Sequence, residues 1–171
     1  MVLATDFIVG QSISLGATTT HTESHIINNN PDRFLLVTIA QTSATNVTGI
    51  TYNGTVMSLI GNKTSGSFKY VAYGLVAPDT GTNNVIVTFS GNVNSIIGYF
   101  AVTFTGSNGV GVSDFASGLE ASPNARSISI SENSIIYCCG NSIYTINSIL
   151  IDGVGISDPF IHNNSISGGQ F

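Results

Sequence analysis

Apolar residues in this chain recur at every second position in short runs, broken by clusters of Gly, Asn, Ser and Pro. That period belongs to strands, whose successive side chains point to opposite faces. Phe7, Val9, Ile13 and Leu15 mark one face of a strand predicted over 7–15. Val85, Val87 and Phe89 do the same for 84–90, and Ile96, Phe100, Val102 and Phe104 for 94–105. The stretch from Phe34 to Ala40 is apolar on both faces, so the strand predicted over 33–41 is central and covered on each side. Further strands are predicted over 47–52, 55–60, 67–76, 126–131, 134–139 and 142–151. Asn53-Gly54 lies between two of them and suits a two-residue type I′ hairpin, in which both central residues need φ > 0. The segment from Ala77 to Asn84 has loop chemistry, with Pro78 presetting φ and Gly81 supplying a positive-φ position. Residues 106–124 are the longest weakly patterned stretch. Helix caps followed by apolar stripes of period 3.6 are missing.

These features predict an all-β protein: an antiparallel β-sandwich, jelly-roll-like, with two packed sheets. The chain of 171 residues is expected to form one domain over 1–171, with extended arms at 1–6 and 161–171. The predicted core centres on Phe34, Leu36, Ile39, Val71, Val87, Phe89, Phe100 and Val102.

Composition narrows the function classes. Hydrophobic residues make up 42% of the chain and charged residues 8%, which favours a packed core over disorder. Four Lys and Arg against nine Asp and Glu give a net charge of −5, too few cations to track a nucleic-acid backbone. No apolar run approaches the roughly 20 residues of a membrane helix. The N-terminus lacks the charged and apolar regions of a signal peptide, so Met1 reads as a native start. Ser, Thr, Asn and Gly take the surface places that Lys and Glu usually hold, giving the composition an extracellular character. A virion protein, made in a host cytoplasm and exposed after lysis, reconciles the two.

The order of several segments is familiar: Phe34 to Ile39, Ile50 to Met57 around Asn53-Gly54, Tyr70 to Pro78, Gly81 to Ser90, and Gly98 to Gly106. Over residues 33–155 the chain resembles a broad family of β-sandwich domains found in phage structural proteins and in secreted or surface proteins of bacteria. The resemblance implies a sandwich and brings no defined catalytic set. It also implies one or two closing strands after Asp152 to Gly155, where this chain runs on only to Phe171.

Candidate chemistry is sparse. His21, Glu23 and His25 fall on one strand face at period 2 and are the cluster with metal-ligating side chains. The competing reading is a solvated polar face near a strand end, and no metal is expected. Cys138 and Cys139 are adjacent and point to opposite faces of a strand, so they read as small apolar residues. His162 near Asp158 makes a pair but no triad, and a Gly-x-Ser-x-Gly elbow is missing. The carboxylates Asp114, Glu120, Asp152 and Asp158 are scattered over predicted loops with nothing to bring two together. Neither catalytic residues nor a cofactor are therefore expected.

A neutral Ser/Thr/Asn surface forms hydrogen bonds without the cost of desolvating charge, as subunit interfaces require. The expected function is that of a non-enzymatic structural protein of a virion: a capsid decoration, fibre or tail component. Its expected partners are identical subunits and other virion proteins, with the arms exchanging strands, and neither nucleic acid nor membrane. The alternative is a secreted adhesion or carbohydrate-binding module that takes surface glycans. The lack of Trp weakens that alternative, leaving six Tyr to line a groove.

Overall fold

The computed structural model describes residues 4–41, 45–65, 68–107, 109–111, 137–140, 150–151, 154–155 and 160–163. Among the described residues there are strands and turns and no helix. The chain divides into two compact units, Met1–Asn133 and Ser134–Phe171.

The first unit is built from seven antiparallel strands: β1 (Ala4–Ile27), β2 (Phe34–Gln41), β3 (Val47–Tyr52), β4 (Thr55–Val56), β5 (Ser58–Ser65), β6 (Phe68–Val76) and β7 (Gly81–Thr105). Their order is β4-β3-β7-β2-β6-β5, with β1 on β7. The length of β7 governs the architecture. Its first half, Val85 to Phe89, pairs with β3, and its second half, Gly98 to Phe104, pairs with β2. β1 follows β7 along the whole way, from Ile27 opposite Gly81 to Ala4 opposite Thr105. Two packed antiparallel layers result. One holds β4, β3, the first half of β7 and the second half of β1. The other holds β5, β6, β2 and the remaining halves.

β1 and β7 thus pass from one layer into the other. Register shifts between Gln11 and Ile13, Ser14 and Thr18, and Thr18 and Thr20 mark the crossing. Extra residues of this kind bend a strand and raise its twist. They also change the phase of alternation. Ile96, predicted to share a face with Phe100, Val102 and Phe104, instead turns into the interlayer core with Tyr99 and Ala101. The strands predicted over 84–90 and 94–105 are one strand, and the first strand runs on to Ile27. The strand predicted over 55–60 is broken at Met57, which is buried in the core and donates its N–H to the Ile50 carbonyl.

The interlayer core gathers Leu35, Val37 and Ile39 of β2, Ile50 and Tyr52 of β3, and Val85, Val87, Phe89, Tyr99 and Ala101 of β7. β2 is buried at every position, as its apolar run predicts. Its odd residues face the other layer. Phe34 and Leu36, with Phe100, Val102 and Phe104 of β7, are buried on the opposite face. The predicted core therefore splits: Ile39, Val87 and Phe89 lie between the layers, Phe34, Leu36, Phe100 and Val102 behind one of them. Val71 is only partly buried against the core. Gly74 makes room for this second apolar face, since a Cβ there would meet Phe34 Cζ at 2.5 Å.

Asn53 and Gly54 form the β3–β4 hairpin with φ of 47° and 79°, the left-handed pair that a type I′ turn requires. In the second unit, β8 (Tyr137–Gly140) pairs in parallel with β11 (Phe160–Asn163), and β9 (Leu150–Ile151) pairs antiparallel with β10 (Val154–Gly155). Of the expected arms, Ala4 and Thr5 pair with β7 and residues 161–163 pair with β8. Asp6 also lies within β1, while residues 1–3 and 164–171, and the strand expected over 126–131, lie outside the described residues.

Candidate functional site

β1 carries an alternation with a polar inner face. Over 20–27 it pairs with β7 without a shift, His21 opposite Val87, Glu23 opposite Val85 and His25 opposite Asn83. Val85 and Val87 point into the core, so His21, Glu23 and His25 point there too. The one-face arrangement read at period 2 is present, but this face lies between the layers. His25 is fully buried and His21 is 8% exposed, in place of the solvated polar face.

Each histidine meets the opposite layer. His25 Nε2 is hydrogen-bonded to Thr103 Oγ1 at 2.8 Å, within the second half of β7. Its ring stands edge-on to Tyr52, with centroids 6.5 Å apart. Tyr52 in turn donates from its hydroxyl to the Gly81 carbonyl at 3.4 Å and accepts from Asn83 Nδ2 at 3.3 Å. His21 stands edge-on to Tyr99 at 5.9 Å. Glu23 Oε2 lies 3.2 Å from His21 Nε2, an ion-pair distance without the alignment of a hydrogen bond. The Tyr99 hydroxyl is buried without a hydrogen-bond partner. Burial, then the nearby Glu23 carboxylate, pushes its pKa far above the usual tyrosine range.

The result is a polar seam stitched across the sandwich, made of His21, Glu23, His25, Tyr52, Tyr99 and Thr103. Chemically it can hold the two layers in one relative register, because a buried polar group tolerates few alternative partners. Among the described residues no group of three His, Cys, Asp or Glu side chains is placed to hold a metal ion. Tyr99 and Thr103 were not singled out by sequence reasoning. Their signal is faint: two polar residues flanking Ala101 in an otherwise apolar strand, in phase with each other. His162 lies in β11 opposite Cys139, and Cys138 opposite Ile161. Asp114, Glu120, Asp152 and Asp158 lie outside the described residues.

The outer face of the same layer is of a different kind. Thr20, Thr22, Ser24 and Ile26 of β1 are exposed, next to Thr82, Asn84, Ile86 and Thr88 of β7. Beyond them come Gly49 and Thr51 of β3, then Val56 of β4. Not one of these positions is charged. Tyr52, Tyr73 and Tyr99 are buried, which withholds three of the six tyrosines from any glycan-facing surface.

No family model, curated protein or solved structure matches this chain.

Proposed function

We propose that this chain is a non-enzymatic structural protein of a virion, a capsid decoration, fibre or tail component that assembles through uncharged β-sandwich surfaces. The observation that carries the reading is the neutral outer face of the first layer, four strands wide from Thr22 through Ile86 and Thr51 to Val56. Interface cores are depleted in charge relative to ordinary surface, and a Thr-rich face offers hydrogen bonds without desolvating ions. The buried use of His21 and His25 supports the same reading, since it spends the first unit's imidazoles on joining layers. The resemblance of residues 33–155 to phage and bacterial β-sandwich domains supports the virion setting. The burial of Tyr52, Tyr73 and Tyr99 weighs against the adhesion or glycan-binding alternative.

Sedimentation of the purified chain at low and high salt tests the assembly. Neutral contacts survive salt at about 1 M, where charge pairing is screened within about 3 Å. The expected result is an oligomer whose mass is unchanged by salt. Antibodies against the chain are expected to label intact virus particles at regular spacing. A chain that stays monomeric at high concentration and labels no particle overturns the proposal.

A further inference from the structure

Two groups at one end of the polar seam are buried but unsatisfied. His21 Nε2 and the Tyr99 hydroxyl have no hydrogen-bond partner among the described residues. The His21 side chain is 8% exposed and Tyr99 is fully buried. Their rings stand edge-on with centroids 5.9 Å apart, one from each layer. Glu23 serves both: Oε2 lies 3.2 Å from His21 Nε2, and its charge acts on the Tyr99 hydroxyl. Polar groups stripped of water in this way are costly and rare in native folds. One ligand shared between them removes both costs.

We infer that His21 Nε2 and Glu23 Oε2 chelate a divalent transition-metal cation of the zinc kind, with the Tyr99 hydroxyl as a third donor. An imidazole nitrogen and carboxylate oxygens are the donors such a cation takes. The spacing fits. Two donors at bond lengths of about 2.0–2.1 Å, spread at a tetrahedral angle, lie about 3.3 Å apart. The observed 3.2 Å is that edge. A plain imidazole–carboxylate pair would aim Nε2 along the line to the oxygen and form a hydrogen bond. Here Nε2 points off that line, as it does when a chelated ion sits beside both donors. Glu23 supplies the way in, since 28% of its side chain reaches solvent. His25 is not a donor to the ion, because its Nε2 is bonded to Thr103 Oγ1. The bound cation would tie the second half of β1 to the opposite layer through Tyr99, a fastening that the proposed structural role does not require.

The test uses full-length protein freed of metal with a chelator and titrated with Zn2+ or Co2+. One equivalent is expected to bind, to raise Tm with zinc concentration, and to give Co2+ the visible absorption of a low-coordinate site. Changing Cys138 and Cys139 together to Ser is expected to leave this site intact. Glu23→Gln keeps the size of a partly exposed side chain, and its fold is checked by circular dichroism. It is expected to weaken zinc binding at least about tenfold, the loss that follows removal of even an outer partner of a metal ligand. Tyr99→Phe is expected to weaken zinc binding while raising the Tm of the metal-free protein, a split that packing alone does not produce. A parent whose Tm is unmoved by zinc holds an ordered water only at this point, and the inference falls. It falls equally if Glu23→Gln binds zinc as the parent does, or if the cysteine variant loses the site. The assembly reading is measured separately, by sedimentation, and survives either result.

Discussion

Replacing Tyr99 with Phe is expected to stabilise the protein. The Tyr99 side chain is fully buried, and its hydroxyl has no hydrogen-bond partner across the layers. In the unfolded chain that hydroxyl is hydrated, so folding strips its water without replacement, at a cost of about 1–3 kcal/mol. Phe keeps the ring, its edge contact with His21 and the packing against Ile39 and Ala101. Removing one oxygen leaves a void of only a few tenths of a kcal/mol at about 24 cal/mol per Å³. The net gain is then about 1–2 kcal/mol, or about 2–4 °C in Tm for each kcal/mol in a chain of this size. The same substitution alters the response to base. Tyr99 ionises far less readily folded than unfolded, so its contribution to stability is intact below the ordinary tyrosine range and is lost as pH rises above it. Above roughly pH 10, one such group lowers stability by about 1.4 kcal/mol per pH unit. Tyr99→Phe is expected to reduce the alkaline slope by that amount, while Tyr52 and Tyr73, also raised by burial, retain theirs. Urea melts followed by circular dichroism at neutral pH and in a series above pH 9 read both effects. A variant less stable than the parent by 1 kcal/mol or more would show that the hydroxyl is satisfied, and would refute the reasoning.

Other perturbations address other parts of the fold. Gly74→Ala is expected to cost about 1–3 kcal/mol in urea melts, because the added Cβ meets the Phe34 ring within a buried face. Phe100→Ala should cost about 3–5 kcal/mol, and a loss below 1 kcal/mol would place that ring on the surface. Thr103→Val removes the hydroxyl bonded to His25 Nε2 and is expected to cost about 1–3 kcal/mol, measured in the same way. Esterase, glycosidase and peptidase substrates should show no turnover above background; activity lost on changing His162 or Asp158 would overturn the non-enzymatic assignment.

Much of the strand content was legible because short-range chemistry determines it. Asn53-Gly54 names its own turn, and the two-sided apolar run of β2 names a covered central strand. What escaped is long-range. Alternation is read within a strand, and a register shift between Gln11 and Ile13 changes its phase with no local mark, which is why Ile96 was assigned to the wrong face. The layer-crossing length of β7 was hidden for the same reason: Gly91 to Val93 looks like a turn between two strands until β1 is laid beside it. The polar seam was half legible. The spacing of His21, Glu23 and His25 shows that they share a face, but not whether that face meets water or the opposite layer. That depends on which residues lie across the sandwich, and Tyr99 and Thr103 announce nothing until the layers are packed.

The partnership of β1 with β7 also sets a timetable. Of the first unit's strands, the earliest made, β1, is the last to be completed, since Ala4 waits for Thr105. At about 5–20 residues per second, β1 spends several seconds outside the ribosome with no native neighbour, its edges open on both sides. Neither layer can finish on its own in that interval, because each borrows half of β1 and half of β7. Such non-local pairing slows folding and lengthens exposure. Synthesis of many copies from clustered messages would therefore bring unpaired β1 segments close to one another before any β7 exists, and the rate of translation becomes a determinant of yield.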